Sequence, residues 1–144
     1  MTVAGFGFRR GATPNSLRDA LDRAIGAVAA TARPGSVPPP VVLLATARDK
    51  ADAACLRALS DALGVPVCPV TEARMKATPT STDHARVRAL RGTGSTAEAA
   101  ALAAARMHGA PDARLAHPRA VSADRLATCA LAIRPLPSLS PSPP

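Results

Sequence analysis

The 144-residue sequence contains no tryptophan, no tyrosine and only two phenylalanines. Proteins that hold single-stranded nucleic acid usually stack its bases on aromatic side chains, so this chain lacks the means for that mode of binding. Hydrophobic residues make up 47% of the sequence, and alanine supplies much of that fraction. The length suffices for one domain with a hydrophobic core, which must be built from small aliphatic side chains.

Long hydrophobic runs and paired cysteines are missing too. No run approaches the roughly 18 to 20 apolar residues of a membrane span, and residues 1–5 lack the basic and apolar regions of a signal peptide. Cys55, Cys68 and Cys129 form no CxxC pair and no even-numbered framework. We therefore expect reduced thiols in a cytoplasmic protein that does not associate with a membrane.

Lysine is scarce as well, since arginine supplies sixteen of the eighteen basic residues, and the formal net charge is +8. Together with the alanine content, this ratio indicates a compositional bias rather than selection for charge. A basic surface still favours acidic partners. Nucleic acid is one class of such partner, but a small polyanionic metabolite fits the composition at least as well.

Strand patterns and helix patterns alternate along the first half of the chain. Stripes of apolar residues at helical spacing predict a helix that starts at Thr13–Ser16 and a second that Asp49 caps and Gly64 ends. Prolines in the third predicted strand favour a sheet edge for it. The three predicted strands are Thr2–Phe8, Val41–Ala45 and Val65–Val70.

The second half of the chain has weaker patterns. Thr71–Met75 predicts a helical turn, Ala113–His117 a strand, and Leu126–Ile133 a more securely defined strand. Residues 135–144 are rich in proline and serine, so we expect a disordered tail there. The alternation of strands and helices predicts a single three-layer α/β/α domain over residues 1–134, with a mostly parallel sheet.

A glycine-containing segment, residues 92–95, precedes an alanine-rich helix pattern that runs to Met107. Ser95, the last residue of this segment, and Glu98 have the spacing of a capping box, in which each of the two side chains accepts a hydrogen bond from a backbone N–H at a helix start. Because free N–H groups and the helix dipole favour an anion, a carboxylate or phosphate can dock at such a loop. The alternative is a cap with a purely structural role. The candidate anion-binding residues are Gly92, Thr93, Gly94, Ser95 and Glu98.

Polar residues also follow each of the first three predicted strands, with Thr71 and Glu72 after the third. Ligands of open α/β sheets usually bind outside the carboxyl ends of the strands. If these strands are parallel, their carboxyl ends share one edge of the sheet, and an anionic ligand there would meet guanidinium, hydroxyl and ammonium groups. The ligand-binding candidates at this edge are Arg9, Arg10, Gly11, Thr46 and Lys50.

Four segments occur in the order and at the spacing of one known family: Gly5–Gly11, Ala45–Lys50, Gly92–Leu102 and Ala127–Ala132. Together they resemble the CobE family, which is similar to the C-terminal domain of CbiG, in the corrin-ring pathway to cobalamin (vitamin B12). The likeness spans residues 2 to about 133. The ending Thr-Cys-Ala-Leu-Ala favours CobE of the aerobic route over CbiG.

The resemblance implies a role in building or handling the corrin macrocycle, a branch of porphyrin metabolism. Full-length CbiG is associated with opening a ring-contracted lactone and releasing acetaldehyde from a cobalt-precorrin, but the likeness covers only its C-terminal part, so that reaction is not carried over. We expect a corrinoid or precorrin intermediate as the ligand. Other cobalamin-pathway enzymes and a second copy of the chain are further candidate partners, whereas nucleic acid and a cofactor are not expected.

Patterns for catalysis and for metal binding are sparse. The histidines His84, His108 and His117 have no second histidine or cysteine at metal-ligand spacing, so we expect no metal site. A Walker motif and a full dinucleotide fingerprint are also absent. We expect a tetrapyrrole-binding carrier or accessory protein without independent catalytic activity. The alternatives are a small lyase or hydrolase acting on a precorrin, with Lys50 or Glu72 as the acid–base group, and a nucleotide- or nucleic-acid-binding domain that uses the glycine-containing segment.

Overall fold

Strands and helices alternate in the computed structural model, which describes residues 2–31, 40–77, 96–116 and 120–133. A short 3₁₀ turn, Arg48–Lys50, follows the second strand. The strands are β1 (Thr2–Phe8), β2 (Val41–Ala47), β3 (Val67–Val70), β4 (Arg114–Leu115), β5 (Ala120–Val121) and β6 (Ala127–Ile133). The helices are α1 (Pro14–Thr31), α2 (Ala54–Leu63), α3 (Glu72–Lys76) and α4 (Thr96–Met107).

The strands form one sheet in the order β3-β2-β1-β6-β4, and β5 pairs with the other half of β6. β1, β2 and β3 are parallel, while β6 is antiparallel to β1, β4 and β5. Among the described strands, β6 alone therefore runs in the reverse direction. The predicted α/β domain with a mostly parallel sheet is confirmed, and β3 has the edge position that its prolines indicated.

Two apolar clusters cover the two faces of the sheet. On one face, Phe6 packs with Leu17 of α1 and Leu56 of α2, and all three side chains are fully buried. On the other face, Val3 and Ala45 pack against the alanines of α4. Each β1 residue therefore faces one layer or the other according to the two-residue period of a strand. Helices on both faces give the three layers that the alternating pattern predicted.

The α4 helix lies unusually close to β1 because the facing residues are glycine and alanine. A Cβ atom placed on Gly5 would lie 2.1 Å from the carbonyl oxygen of Ala97 and 2.6 Å from the backbone nitrogen of Ala101. Every residue from Ala97 to Ala105 is buried. The abundance of alanine thus has a structural use, since small side chains let backbone pack against backbone.

The helix boundaries partly follow the predicted signals. A capping box forms at the start of α1, where the Thr13 and Ser16 hydroxyls accept hydrogen bonds from each other's backbone N–H groups at 3.1 Å. Gly64 ends α2 in the left-handed conformation, with φ of 68°. The prediction that Asp49 caps α2 is wrong. Asp49 lies in the 3₁₀ turn that separates β2 from α2, and the residue at the cap of α2 is Ala53, without a side-chain hydrogen bond.

One described element in the second half of the chain is clearly shorter than the pattern indicated. Within the described part of the segment predicted as a strand at Ala113–His117, the strand is β4, while the predicted helical turn after Thr71 is α3. The strand β5 was not predicted, because its two residues have no periodicity of their own and pair with β6. The predicted tail, residues 135–144, lies outside the described residues.

The three thiols should react in the order Cys55, Cys68, Cys129. Cys129 is fully buried and Cys68 nearly so, and burial raises the pKa of both thiols, whereas Cys55 is only half-buried in α2. The thiolate is the reactive form, so Cys129 should be labelled only in molecules that unfold. Its labelling rate in the native protein should be about 10³-fold or more below its rate in urea. Mass spectrometry of timed labelling with a thiol reagent measures this order. Rapid native labelling of Cys129 would contradict its burial.

Candidate ligand-binding site

The carboxyl ends of β1, β2 and β3 lie at one edge of the sheet, here called the carboxyl edge. The parallel registers place Gly5 beside Ala45 and Ala45 beside Cys68. The predicted ligand-binding residues at the carboxyl ends of β1 and β2 therefore share this edge, and Thr46 lies within β2 rather than after it. The reversed strand β6 begins at the same edge, with Ala127 beside Phe8.

Lys50 reaches from the end of β2 to the end of β1. Its Nζ atom donates a hydrogen bond to the carbonyl oxygen of Phe8 and lies 5.2 Å from the centroid of the Phe8 ring. Such a position lets the ring face stabilise the ammonium charge. The side chain is thus held directly beside the start of the loop that carries Arg9, and Lys50 is half-buried rather than fully exposed.

Two threonines hold the same end of β1 from its two neighbouring strands. Thr46 of β2 is fully buried, and its hydroxyl donates to the carbonyl oxygen of Phe6 at 2.9 Å. Thr128 of β6 donates in the same way to the carbonyl oxygen of Gly7 at 3.1 Å. With Lys50, three side chains donate to three successive β1 carbonyls. Thr128 was not a predicted site residue, although it lies in a segment that carried the family resemblance.

The amino-terminal turn of α4 lies over this end of β1. A Cβ atom placed on Gly7 would be 3.5 Å from the Cβ of Thr96 and 3.7 Å from the nitrogen of Ala97. The positive end of the α4 dipole therefore points toward the carboxyl edge. Glu98, in the first turn of α4, is fully buried. The predicted residues Gly92, Thr93, Gly94 and Ser95 lie outside the described residues, and α4 begins directly after them.

The arginine loop, residues 9–11, leaves β1 at the carboxyl edge with all three residues exposed. Gly11 has a φ of 95°, a conformation that favours glycine. The N–H of Arg9 donates to the carbonyl oxygen of Leu126 at 2.9 Å, and the N–H of Ala12 donates to the carbonyl oxygen of Arg9 at 3.0 Å. The loop is thereby tied to the turn between β5 and β6.

That turn is itself fixed by one carboxylate that sequence reasoning missed. The Asp124 side chain accepts hydrogen bonds from the hydroxyl of Ser122 at 2.5 Å, the hydroxyl of Ser16 at 2.6 Å and the N–H of Leu126 at 3.0 Å. These bonds lower the pKa of the Asp124 carboxyl from its ordinary value. Ser16 belongs to the first turn of α1, so Asp124 joins that helix to the β5–β6 turn, whose Leu126 carbonyl in turn accepts from Arg9 of the arginine loop.

The Asp124→Asn variant should lose stability at neutral pH and lose less on acidification than the parent. The folded-state pKa of Asp124 is lowered, so its stabilising effect is full above the unfolded value near 3.8 and disappears as pH falls through the folded value. Thermal unfolding at pH 7 and pH 3 measures both effects. The control Asp61→Asn removes an exposed carboxylate from α2. Equal acid sensitivity of Asp124→Asn and the parent would contradict the assignment.

The two arginines of the arginine loop at the carboxyl edge are not neutralised by an ion pair within the described residues. In the described part of the chain, Arg9 and Arg10 form no ion pair, and the four ion pairs that do form involve other residues. One of these joins Glu72 to Lys76 at 3.0 Å in α3, so the second acid–base candidate is paired at the surface. Lys50 and Glu72 thus have separate partners.

The described residues hold no group of three or more histidine, cysteine, aspartate or glutamate side chains arranged for a metal ion. Of the helices in those ranges, none is long and apolar enough to cross a membrane.

Comparisons with known proteins agree with the resemblance. Residues 2–132 match the family model described as Cobalamin synthesis G C-terminus. A solved structure of CobE, a protein from the cobalamin (vitamin B12) biosynthetic pathway, is 33% identical and has a TM-score of 0.74, over 92% of this chain and 89% of that one. The cobalamin biosynthesis protein chiG from Agrobacterium tumefaciens is 35% identical, with a TM-score of 0.57, over 92% and 98%. A search of curated protein sequences gives no significant match.

An α/β domain that matches this family over nearly its whole described length defines the class. The chain belongs to the family of the CbiG C-terminal domain, and the solved CobE structure is similar to it. It is a protein of cobalamin biosynthesis.

Proposed function

We propose that this protein binds a polycarboxylate tetrapyrrole intermediate of corrin-ring synthesis at the carboxyl edge, as a carrier or as an accessory to a pathway enzyme. The observation that carries the proposal is the position of Arg9 and Arg10. They are exposed, form no ion pair within the described ranges, and lie beside the fixed ammonium of Lys50. The pathway supplies the class of ligand.

The chemistry of the edge suits carboxylates on the rim of a macrocycle. Guanidinium groups can form two parallel hydrogen bonds to one carboxylate, while an ammonium acts as a compact point charge. The α4 dipole adds positive potential at the same edge. Because corrin precursors bear many acetate and propionate groups, several of these contacts can form at once. The predicted anion-binding residues 92–95 precede α4 and would extend the same site.

The fixed and the exposed groups have different parts in this proposal. Thr46 and Glu98 are fully buried, so we assign them to holding β1 and α4 in place rather than to contact with a ligand. Arg9 and Arg10 are exposed and Lys50 is half-buried, so we assign contact with the ligand to these three side chains. Both acid–base candidates already have partners, since Lys50 donates to the carbonyl oxygen of Phe8 and Glu72 pairs with Lys76, and this favours binding over turnover.

A titration of the protein with hydrogenobyrinic acid, followed by its visible absorbance, tests the proposal. We expect a saturable spectral shift that weakens as salt is raised, since screening reduces charge attraction. The fully methyl-esterified form of the same ligand is the matched control, because it keeps the macrocycle and removes the carboxylate charges. Recovery of unchanged ligand afterwards would support a binding role, and turnover would support the lyase or hydrolase alternative.

The absence of any spectral shift with the acid would contradict the proposal. Equal affinity for the acid and its ester would also contradict it, since the binding would then depend on the macrocycle face rather than on its carboxylates.

A further inference from the structure

Arg125 has an unusual backbone conformation at the edge of the proposed site. Its φ is 62°, and among the described residues it is the one non-glycine residue with a positive φ. It is the last residue of a turn that its own N–H closes by donating to the carbonyl oxygen of Ser122 at 2.9 Å. Glycine or asparagine usually occupies a left-handed position of this kind in a hairpin, because other side chains are strained there. An arginine at this position invites a functional explanation.

The turn brings Arg125 next to the arginine loop. Its neighbour Leu126 accepts the hydrogen bond from the N–H of Arg9, so the two chain segments are joined one residue away from Arg125. Arg125 is exposed, and it forms no ion pair in the parts of the chain that the structure describes. The adjacent carboxylate of Asp124 is already occupied by two hydroxyls and a backbone N–H. The Arg125 guanidinium is therefore available to a ligand.

We propose that Arg125 is a ligand-binding residue of the same site, contributing a guanidinium from the β5–β6 turn to a further carboxylate of the bound polycarboxylate. This inference rests on the proposed function. Two loops that are far apart in sequence, residues 9–11 and the turn at 122–126, then present basic groups to one multiply charged ligand. Asp124 acts as a positioning residue, because its hydrogen bonds hold the turn in the conformation that places Arg125 there.

The variant Arg125→Gly separates a binding role from a structural one. Glycine removes both the guanidinium and the backbone strain, so the melting temperature should rise by a few degrees while affinity for hydrogenobyrinic acid falls about tenfold or more. Arg125→Lys keeps the charge and should lose less affinity than Arg125→Gly. The controls are the parent protein and Arg106→Gly, which removes an exposed arginine from the opposite end of α4.

The outcomes distinguish this inference from the proposed function. If Arg125→Gly binds as tightly as the parent while alanine variants of Arg9 and Arg10 bind weakly, the inference is overturned and the proposed function stands. If the parent protein binds no hydrogenobyrinic acid, both fail. A more stable Arg125→Gly variant with weakened binding supports the inference, since a purely structural role for Arg125 would not combine a gain in stability with a loss of affinity.

Discussion

Gly5→Ala should reduce the free energy of unfolding by about 3 kcal/mol or more, the upper part of the range for overpacking a core. The added methyl group would meet backbone atoms of Ala97 and Ala101 at 2.1 and 2.6 Å, and backbone cannot turn aside as a flexible side chain can. The α4 helix would have to move away from β1. Because the alanines of α4 pack on this face of the sheet, the shift would loosen the apolar cluster formed with Val3 and Ala45.

Urea unfolding of the parent and variant measures this effect. Gly26→Ala is the matched control, since Gly26 is exposed in the middle of α1 and an added Cβ there meets nothing within 4 Å. That control should gain about 0.5 to 1 kcal/mol, because alanine favours a helix more than glycine does. A Gly5→Ala variant as stable as the parent would contradict the close contact of α4 with β1.

The double variant Arg9→Ala/Arg10→Ala should lose most of its affinity for hydrogenobyrinic acid. Each arginine offers a charge-assisted contact worth about 1.5 to 3 kcal/mol, so each loss should weaken binding roughly 10- to 100-fold. Stability should change little, because both side chains are exposed and the hydrogen bonds that hold the loop come from the backbone of Arg9. Fluorescence or absorbance titration gives the dissociation constants, and thermal unfolding checks the fold.

The control Arg106→Ala/Arg114→Ala carries the same change in net charge at the opposite edge of the sheet. Arg114 pairs with Ile133, which pairs with Thr2 at the amino end of β1, and Arg106 lies in the last turn of α4. If binding depended only on net charge, both double variants would weaken it equally. Equal losses would therefore contradict a site at the carboxyl edge.

Lys50→Ala differs from these arginine variants because Lys50 has two roles. As a ligand-binding candidate, Lys50 should weaken binding when it is replaced by alanine. The structure adds a hydrogen bond to the Phe8 carbonyl and a contact with the Phe8 ring, so we expect a stability loss of about 1 kcal/mol beside the loss of affinity.

Elements with a clear period could be predicted from the sequence. The apolar run of β2, the stripe of α1 and the terminal strand β6 each have a pattern set by local geometry. Boundaries that depend on neighbouring elements could not. Because Arg48–Lys50 form a 3₁₀ turn, α2 starts later than predicted, beyond Asp49. The strand β5 forms because it pairs with β6.

The shared edge of the site could be predicted as well, because parallel strands place their following residues together. The contacts that shape the site could not. Asp124 and Ser16 are 108 positions apart in sequence, and nothing in either segment indicates that they meet. The left-handed conformation of Arg125 could not be predicted either, since glycine or asparagine normally occupies such a position in a hairpin turn.

The contact between Gly5 and α4 could be predicted only in part from the sequence. Glycines in β1 and a run of alanines in α4 both indicate close packing, but only the topology shows that they face each other. In this family member, the small residues bring the amino-terminal turn of α4 to the end of β1, where the proposed site lies.

A crystal structure of the protein with hydrogenobyrinic acid tests the central claim most directly. The account predicts carboxylate oxygens of the ligand at about 2.7 to 2.9 Å from guanidinium nitrogens of the arginine loop, with the macrocycle against the carboxyl edge. A ligand bound instead at the opposite edge, near Arg106 and Arg114, or on a face of the molecule without contact to Arg9, Arg10 or Lys50, would contradict it.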